Sequence, residues 1–330
     1  MKIITIEEHV SGLPLAGAVQ KYDSADAPYS TYAPGPGLPY VPQADIFSVG
    51  EQRVADMDVC GIDMQIVSCA SQSQFLPLKE AAPVVNDSNN ILAEQISKYP
   101  DRFAAFAALP WSAPEAAAKE LERAVSKLGF KGAILAGRAS AGKEFLDSPQ
   151  FTPVLEAAQA LEVPIYIHPA PPMLQVQQAY YAGLGEQLSA RLSLYGWGWH
   201  HEAGIQILRL ILSGSFERFP KLQIIGGHWG EMVPFFLSRL DQALPQSVTK
   251  LERTITETFR QNVYVTPSGI FDYPQLQFCM QVVGADRIIH SVDCPFVPNK
   301  GAKEFLENAP IGAEEKEQIA HRNAESLFRL

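Results

Sequence analysis

The sequence is poor in the residues that staple small folds. Its 330 residues hold only four cysteines, Cys60, Cys69, Cys279 and Cys294, and none forms a CxxC pair. That excludes a zinc-ribbon pattern, gives no disulfide framework, and fits a reducing compartment. A basic run is also missing: 26 Lys and Arg stand against 36 Asp and Glu, for a formal net charge of −10. The clustered positive charge that nucleic acid or an anionic membrane surface requires is therefore absent. No apolar run reaches the roughly 18 residues of a membrane span, and the start MKIITIEEHV has no apolar signal core. A cytoplasmic protein without nucleic-acid or membrane partners is expected. With 47% hydrophobic and 19% charged residues, disordered and fibrous classes are excluded as well.

What is present is a repeated pattern. Short β-rich runs fall at 2–6, 63–68, 103–108, 131–136, 163–167, 222–226, 262–266 and 287–292. They are apolar throughout rather than alternating, as parallel strands buried on both faces are. Helical patterns at 80–98, 113–128, 150–161, 203–217 and 313–328 separate most of them. Eight such units predict an α/β fold, a (β/α)8 TIM barrel. A doubly wound sheet would carry a Gly-rich phosphate turn after its first strand, where this chain has EEHV. At about 150 residues per domain the length suggests two domains, but barrels of about 250 residues stand as one. The reading is a single barrel domain over 1–330. Two insertions, 11–48 after strand one and 169–199 after strand five, are expected at the catalytic face as lid and pocket wall, with a surface or oligomer contact as the alternative.

Barrel strands converge at their C-terminal ends, so the residues there matter most. Strand one ends in Glu7, Glu8 and His9, strand five in His168, strand six in His228 and strand eight in Asp293. Glu7 and His9 lie two apart and leave the same face, with Glu8 on the other. Carboxylate and imidazole together suit zinc, manganese or iron(II). Glu7, His9, His168 and Asp293 are thus candidate ligands of one divalent metal ion, Zn2+ or Mn2+, with no organic cofactor. The strand-four end, ILAGRAS, has no lysine for a carboxylated bridge between two ions, so a single metal is expected. His228 opens GHWGEMVPFFLSRLD, and Glu231 three residues on can orient it for acid–base work. Arg239 can hold a substrate anion or stand as an exposed helical arginine. His200 and His201 can join the pocket but read first as capping or packing residues, His290 as core or as a support behind the site, and His321 as structural. Cys294 has no paired base and is not read as a nucleophile.

Six segments carry a family resemblance: EEH at 7–9, RVADMDVCGIDMQIVS at 53–68, HPAPP at 168–172, FERFPKLQIIGGHWGE at 216–231, NVYVTPSG at 262–269 and SVDCPF at 291–296. On these the chain resembles the amidohydrolase superfamily, in the branch of aminocarboxymuconate-semialdehyde decarboxylase-like enzymes. Glu-x-His in place of His-x-His is similar to the γ-resorcylate and 2,3-dihydroxybenzoate decarboxylases. The resemblance implies that Glu7, His9, His168 and Asp293 bind the metal and that His228, supported by Glu231, works beside it. It implies that Arg239 touches substrate in an assembled homo-oligomer, a dimer or tetramer, and that Phe296 borders the ring. Trp229 and Cys294 depart from the residues frequent in that family, Met and Tyr.

The expected activity is that of a metal-dependent carboxy-lyase, a non-oxidative decarboxylase of an ortho-hydroxybenzoate-type aromatic acid. Asp293 would act as the acid and His228 as a stabiliser of the phenolic oxygen. The alternative is a mononuclear metal-dependent hydrolase or hydratase of a lactone, ester or small carboxylic acid. A non-catalytic barrel is disfavoured, because its strand ends would be apolar.

Overall fold

The computed structural model describes residues 1–22 and 47–330. Insertion 11–48 therefore falls largely outside the described residues. Among the described residues seven strands form where the apolar runs lie: β1 (Ile4–His9), β2 (Met64–Ser68), β3 (Phe103–Ala105), β4 (Ala133–Ala136), β5 (Ile165–His168), β6 (Ile224–Gly226) and β7 (Val263–Val265). All ladders are parallel, in the orders β1-β2-β3 and β4-β5-β6-β7. Three isolated bridges complete the ring. Ala107 pairs with Ala133 to join β3 to β4, Val265 pairs with Ile288, and Cys294 pairs with Glu8. Residues 288–294 are thus the eighth stave, held at two points rather than along a ladder, and the fold is the (β/α)8 barrel.

Two apolar cores follow. The larger lies between strands and helices. The smaller fills the barrel with Ile4, Ile6, Ile66, Phe106, Ile134, Tyr166, Ile225 and Ile289. Phe328 of the final helix, Asn323–Phe328, plugs the lower end, its ring 5.6 Å from that of Phe106. Among the described residues the upper end is left to open on a site.

The alternation of β1 breaks once. Thr5 pairs with Gln65 and Glu8 with Val67, so three residues on β1 answer two on β2. This bulge resets the period-2 pattern. Ile4 and Ile6 face the barrel interior, and so do Glu7 and His9. Glu8 turns outward, where its carboxylate accepts backbone N–H bonds from Val292 at 3.0 Å and Cys294 at 3.1 Å. It thereby ties the first stave to the last. Burial pushes the Glu8 carboxyl up to about 8, with the Arg53 guanidinium opposing the rise.

Two helices differ from expectation. The one expected at 203–217 runs Gly198–Leu212, and the chain breaks at Gly214 (φ +71°) before Ser215–Arg218. The one expected at 313–328 widens over Gln318–Arg322, where the Ile319 carbonyl instead accepts the His290 N–H at 3.2 Å. Among the described residues no helix is long and apolar enough to cross a membrane. All four cysteines are free, and burial pushes the Cys294 thiol up, out of nucleophilic range.

Candidate metal centre

Glu7, His9, His168 and Asp293 arrive from three staves, and one donor atom of each lies within 4.8 Å of the others. Glu7 and His9 are buried at 1% and 4% exposure, which decides that their polar atoms need partners inside the protein. Asp293 sits at φ +70°, a conformation that costs a non-glycine residue about 1–2 kcal/mol. The surrounding structure imposes that conformation, and it turns the carboxylate into the barrel mouth.

The two oxygens of Glu7 have different roles. Oε2 accepts the hydroxyls of Tyr166 and Ser268. Oε1 has no hydrogen-bond partner and faces His168 Nε2 at 3.7 Å. His168 Nδ1 lies 2.7 Å from the Pro169 carbonyl, which can only accept, so Nδ1 carries the proton and Nε2 a free lone pair. Burial holds the His168 imidazole well below its usual value, with His9 and His228 adding to the effect; the neutral ring is the form that ligates.

His9 Nε2 and Asp293 Oδ1 lie 2.9 Å apart, but the approach is too oblique for a hydrogen bond, and both atoms are buried without a partner. An unmade hydrogen bond of this kind costs about 1–3 kcal/mol per group. Several such atoms converging on one point are explained by a common occupant. Burial also pushes the Glu7 carboxyl up to about 7. Asp293 adds to that rise, and His228 and His9 oppose it. The cluster calls for added positive charge, and its donor set of nitrogen and carboxylate oxygen fits a divalent cation.

Gly227 leaves the space for this arrangement. A Cβ there would meet Ser268 Oγ at 2.9 Å, Tyr166 Oη at 3.0 Å and Glu7 Oε1 at 3.1 Å. The two glycines before His228 therefore serve close packing. The tight turn itself comes after them, at His228, Trp229, Gly230, Glu231 and Met232, all at positive φ. Gly227→Ala is expected to fold but to displace the Glu7 carboxylate, lowering bound metal and activity at least about tenfold; metal analysis of the purified variant checks this.

That left-handed turn places Glu231 beside His228, with His228 Nδ1 2.8 Å from Glu231 Oε1. Burial alone would lower the His228 pKa, but Glu231 and Glu7 outweigh it and carry it up to about 10. His228 Nε2 faces Asp293 Oδ2 at 4.0 Å. Glu231 Oε2 lies 2.8 Å from His200 Nδ1. His200, His228 and Glu231 also lie close enough together to ligate, yet hydrogen bonds already take both carboxylate oxygens.

His168, His200, His228 and Asp293 floor a cavity of about 490 Å3, walled by Ala136, Ala170, Trp199, Ile270 and Phe296. Pro169, Ala170, Pro171, Tyr195 and Trp199 come from insertion 169–199, so the expected pocket wall is there. Phe296 borders the cavity with its ring 5.6 Å from that of His9. Arg239 does not line it; it is exposed on the helix Val233–Ala243 beside Phe235 and Phe236. His200 belongs to the site, contrary to its reading as a cap or packing residue, because the helix starts at Gly198 and turns its first histidine toward Glu231. His290 is core as expected, stacked on Phe271 and donating to the Ala302 carbonyl at 3.1 Å. Sequence reasoning missed Tyr166, although it lies two residues before His168 on the same strand face.

The amidohydrolase family model matches residues 44–330. The chain is 36% identical over 299 residues to the γ-resorcylate decarboxylase of Polaromonas sp., covering 86% of this chain and 89% of that protein. The solved structure of a dihydroxybenzoic acid decarboxylase from Polaromonas sp., with bound manganese and the inhibitor 2-nitroresorcinol, superposes with a TM-score of 0.85 at 33% identity, covering 100% of this chain and 97% of that one. That of a 2,6-dihydroxybenzoate decarboxylase complexed with 2,6-dihydroxybenzoate gives 0.84 at 31% identity, covering both chains fully.

Proposed function

The chain belongs to the amidohydrolase family, and from that premise we propose that it is a metal-dependent, non-oxidative decarboxylase of an aromatic acid with a hydroxyl ortho to its carboxylate. The observation that carries this reading is the convergence of donor atoms without hydrogen-bond partners from Glu7, His9 and Asp293, at a cluster whose His168 and Asp293 line an apolar-walled cavity. The relatives' names support the same chemistry and the same kind of substrate, a small aromatic carboxylic acid.

Glu7, His9, His168 and Asp293 would hold one zinc or manganese ion, with no organic cofactor. Such an ion, when bound, withdraws charge from the adjacent carboxylate and phenolic oxygens of the substrate. Asp293 delivers a proton to the ring carbon that bears the carboxylate. The carbon–carbon bond then breaks, carbon dioxide leaves, and the electron pair of that bond restores aromaticity. His228, held by Glu231, donates from Nε2 to the phenolic oxygen and stabilises the charge that develops there. Phe296 and Ile270 flank the ring and keep water from it. The whole chain, 1–330, acts as one catalytic domain. Arg239 reaches the substrate only in a homo-oligomer, dimer or tetramer, since its own helix turns it outward.

A panel of benzoates tests the reading. Benzoates with an ortho-hydroxyl are expected to release carbon dioxide and those without one are not. Activity should vanish on chelation and return with Mn2+ or Zn2+. Hydrolysis of lactones or esters, or hydration, with no carbon dioxide from any benzoate would overturn it.

A further inference from the structure

Glu231 is the hub between two imidazoles. Its side chain is fully enclosed, and the charges of His228 and His200 hold its carboxyl below the usual range against the pull of burial, so it stands ionised. An ionised carboxylate only accepts, so both facing nitrogens donate: His228 Nδ1–H to Oε1 and His200 Nδ1–H to Oε2, each at 2.8 Å. The two rings lie 4.4 Å apart, 63° from coplanar. The second bond sets the carboxylate plane, because a carboxylate held at one oxygen alone can still rotate about its last bond.

His200 is itself firmly placed. It stands in the first turn of the helix Gly198–Leu212, with its Nε2 3.1 Å from the Tyr195 carbonyl oxygen and 3.0 Å from the Trp199 indole nitrogen. Gly204, one turn further along, lets that helix pack directly on the Glu231 backbone; a Cβ there would come within 2.5 Å of the Glu231 carbonyl oxygen. Trp199 also walls the substrate cavity, so this imidazole joins the wall to the Glu231–His228 pair.

We infer that His200 is a positioning residue. By donating to Glu231 Oε2 it fixes the carboxylate that orients His228 and so aims His228 Nε2 at the substrate. Only the kinetic arm of the test rests on the decarboxylase reading. His200→Ala is expected to lower kcat about 10- to 100-fold, with KM and bound metal per chain unchanged. His200→Asn, which keeps an N–H near the lost Nδ1, should recover most of that loss. In the substrate-free protein, nitrogen-15 NMR should show a downfield His228 Nδ1–H proton that broadens or disappears in His200→Ala and returns in His200→Asn. Where His200→Ala does not fold, His200→Phe fills the ring's space without the donor and is read in the same way. An unchanged kcat, an unchanged His228 resonance, or an Asn variant as impaired as the Ala variant would each overturn the inference. If wild-type protein decarboxylates nothing in the panel, the functional reading fails, while the NMR arm still decides whether His200 orients His228.

Discussion

Asp293→Asn is expected to lower turnover at least about 1,000-fold while leaving the fold and most of the bound metal in place. Asp293 faces both halves of the site. Its Oδ1 lies 2.9 Å from His9 Nε2 and its Oδ2 lies 4.0 Å from His228 Nε2. Asparagine keeps the shape and one oxygen donor but has no proton to give a ring carbon. General acid catalysis is worth about 100- to 10,000-fold, so its loss dominates over any weakening of coordination. Turnover measured beside metal content and circular dichroism separates these effects. A variant that retains a tenth of wild-type turnover would remove Asp293 from the role of acid.

The second large effect is expected at His168, through metal binding rather than proton transfer. His168→Ala deletes a neutral imidazole whose free Nε2 is already turned into the cluster by the Pro169 carbonyl. Glu7 Oε1, 3.7 Å away, would lose its neighbour. Changes in groups that merely support a ligand already cost about 10- to 100-fold in affinity. Deleting the ligand itself should cost more than about 100-fold, with no detectable turnover at stoichiometric metal. Thermal melting provides an independent reading, because an ion that binds only the folded chain raises Tm with concentration. Wild-type protein should show that rise with Mn2+ or Zn2+, and His168→Ala should not. A variant that binds one equivalent as tightly as wild type would take His168 out of the metal centre.

Much of this architecture could be read before any coordinates, because burial on both faces leaves a mark in each strand. The apolar runs ending at His168 and before His228 and Asp293 show where the staves finish, and a barrel brings all finishing points to one mouth. Helix 113–128 was legible almost to the residue, since its pattern starts at a proline and ends at Gly129 in the left-handed conformation. His200 could be named as an alternative for the pocket but not placed there. Its partner Glu231 is 31 residues away, and only helix packing at Gly204 brings the two together. Arg239 could be marked as a candidate from its chemistry, but its outward direction appeared only once the helix Val233–Ala243 was in place.

Strand β1 shows where the two kinds of information part. Composition and period 2 alone require Glu7 and His9 to share a face and Glu8 to oppose them. The same period, run on from Ile4 and Ile6, would send Glu8 into the barrel and the two ligands outward against the helices. The extra residue between the Thr5 and Glu8 pairings reverses that, and nothing local in ITIEEH announces it. The reason lies across the ring. Glu8 finds its hydrogen bonds on the backbone of Val292 and Cys294, and Glu7 finds Tyr166 and Ser268, all of them far along the chain and available only when the barrel closes.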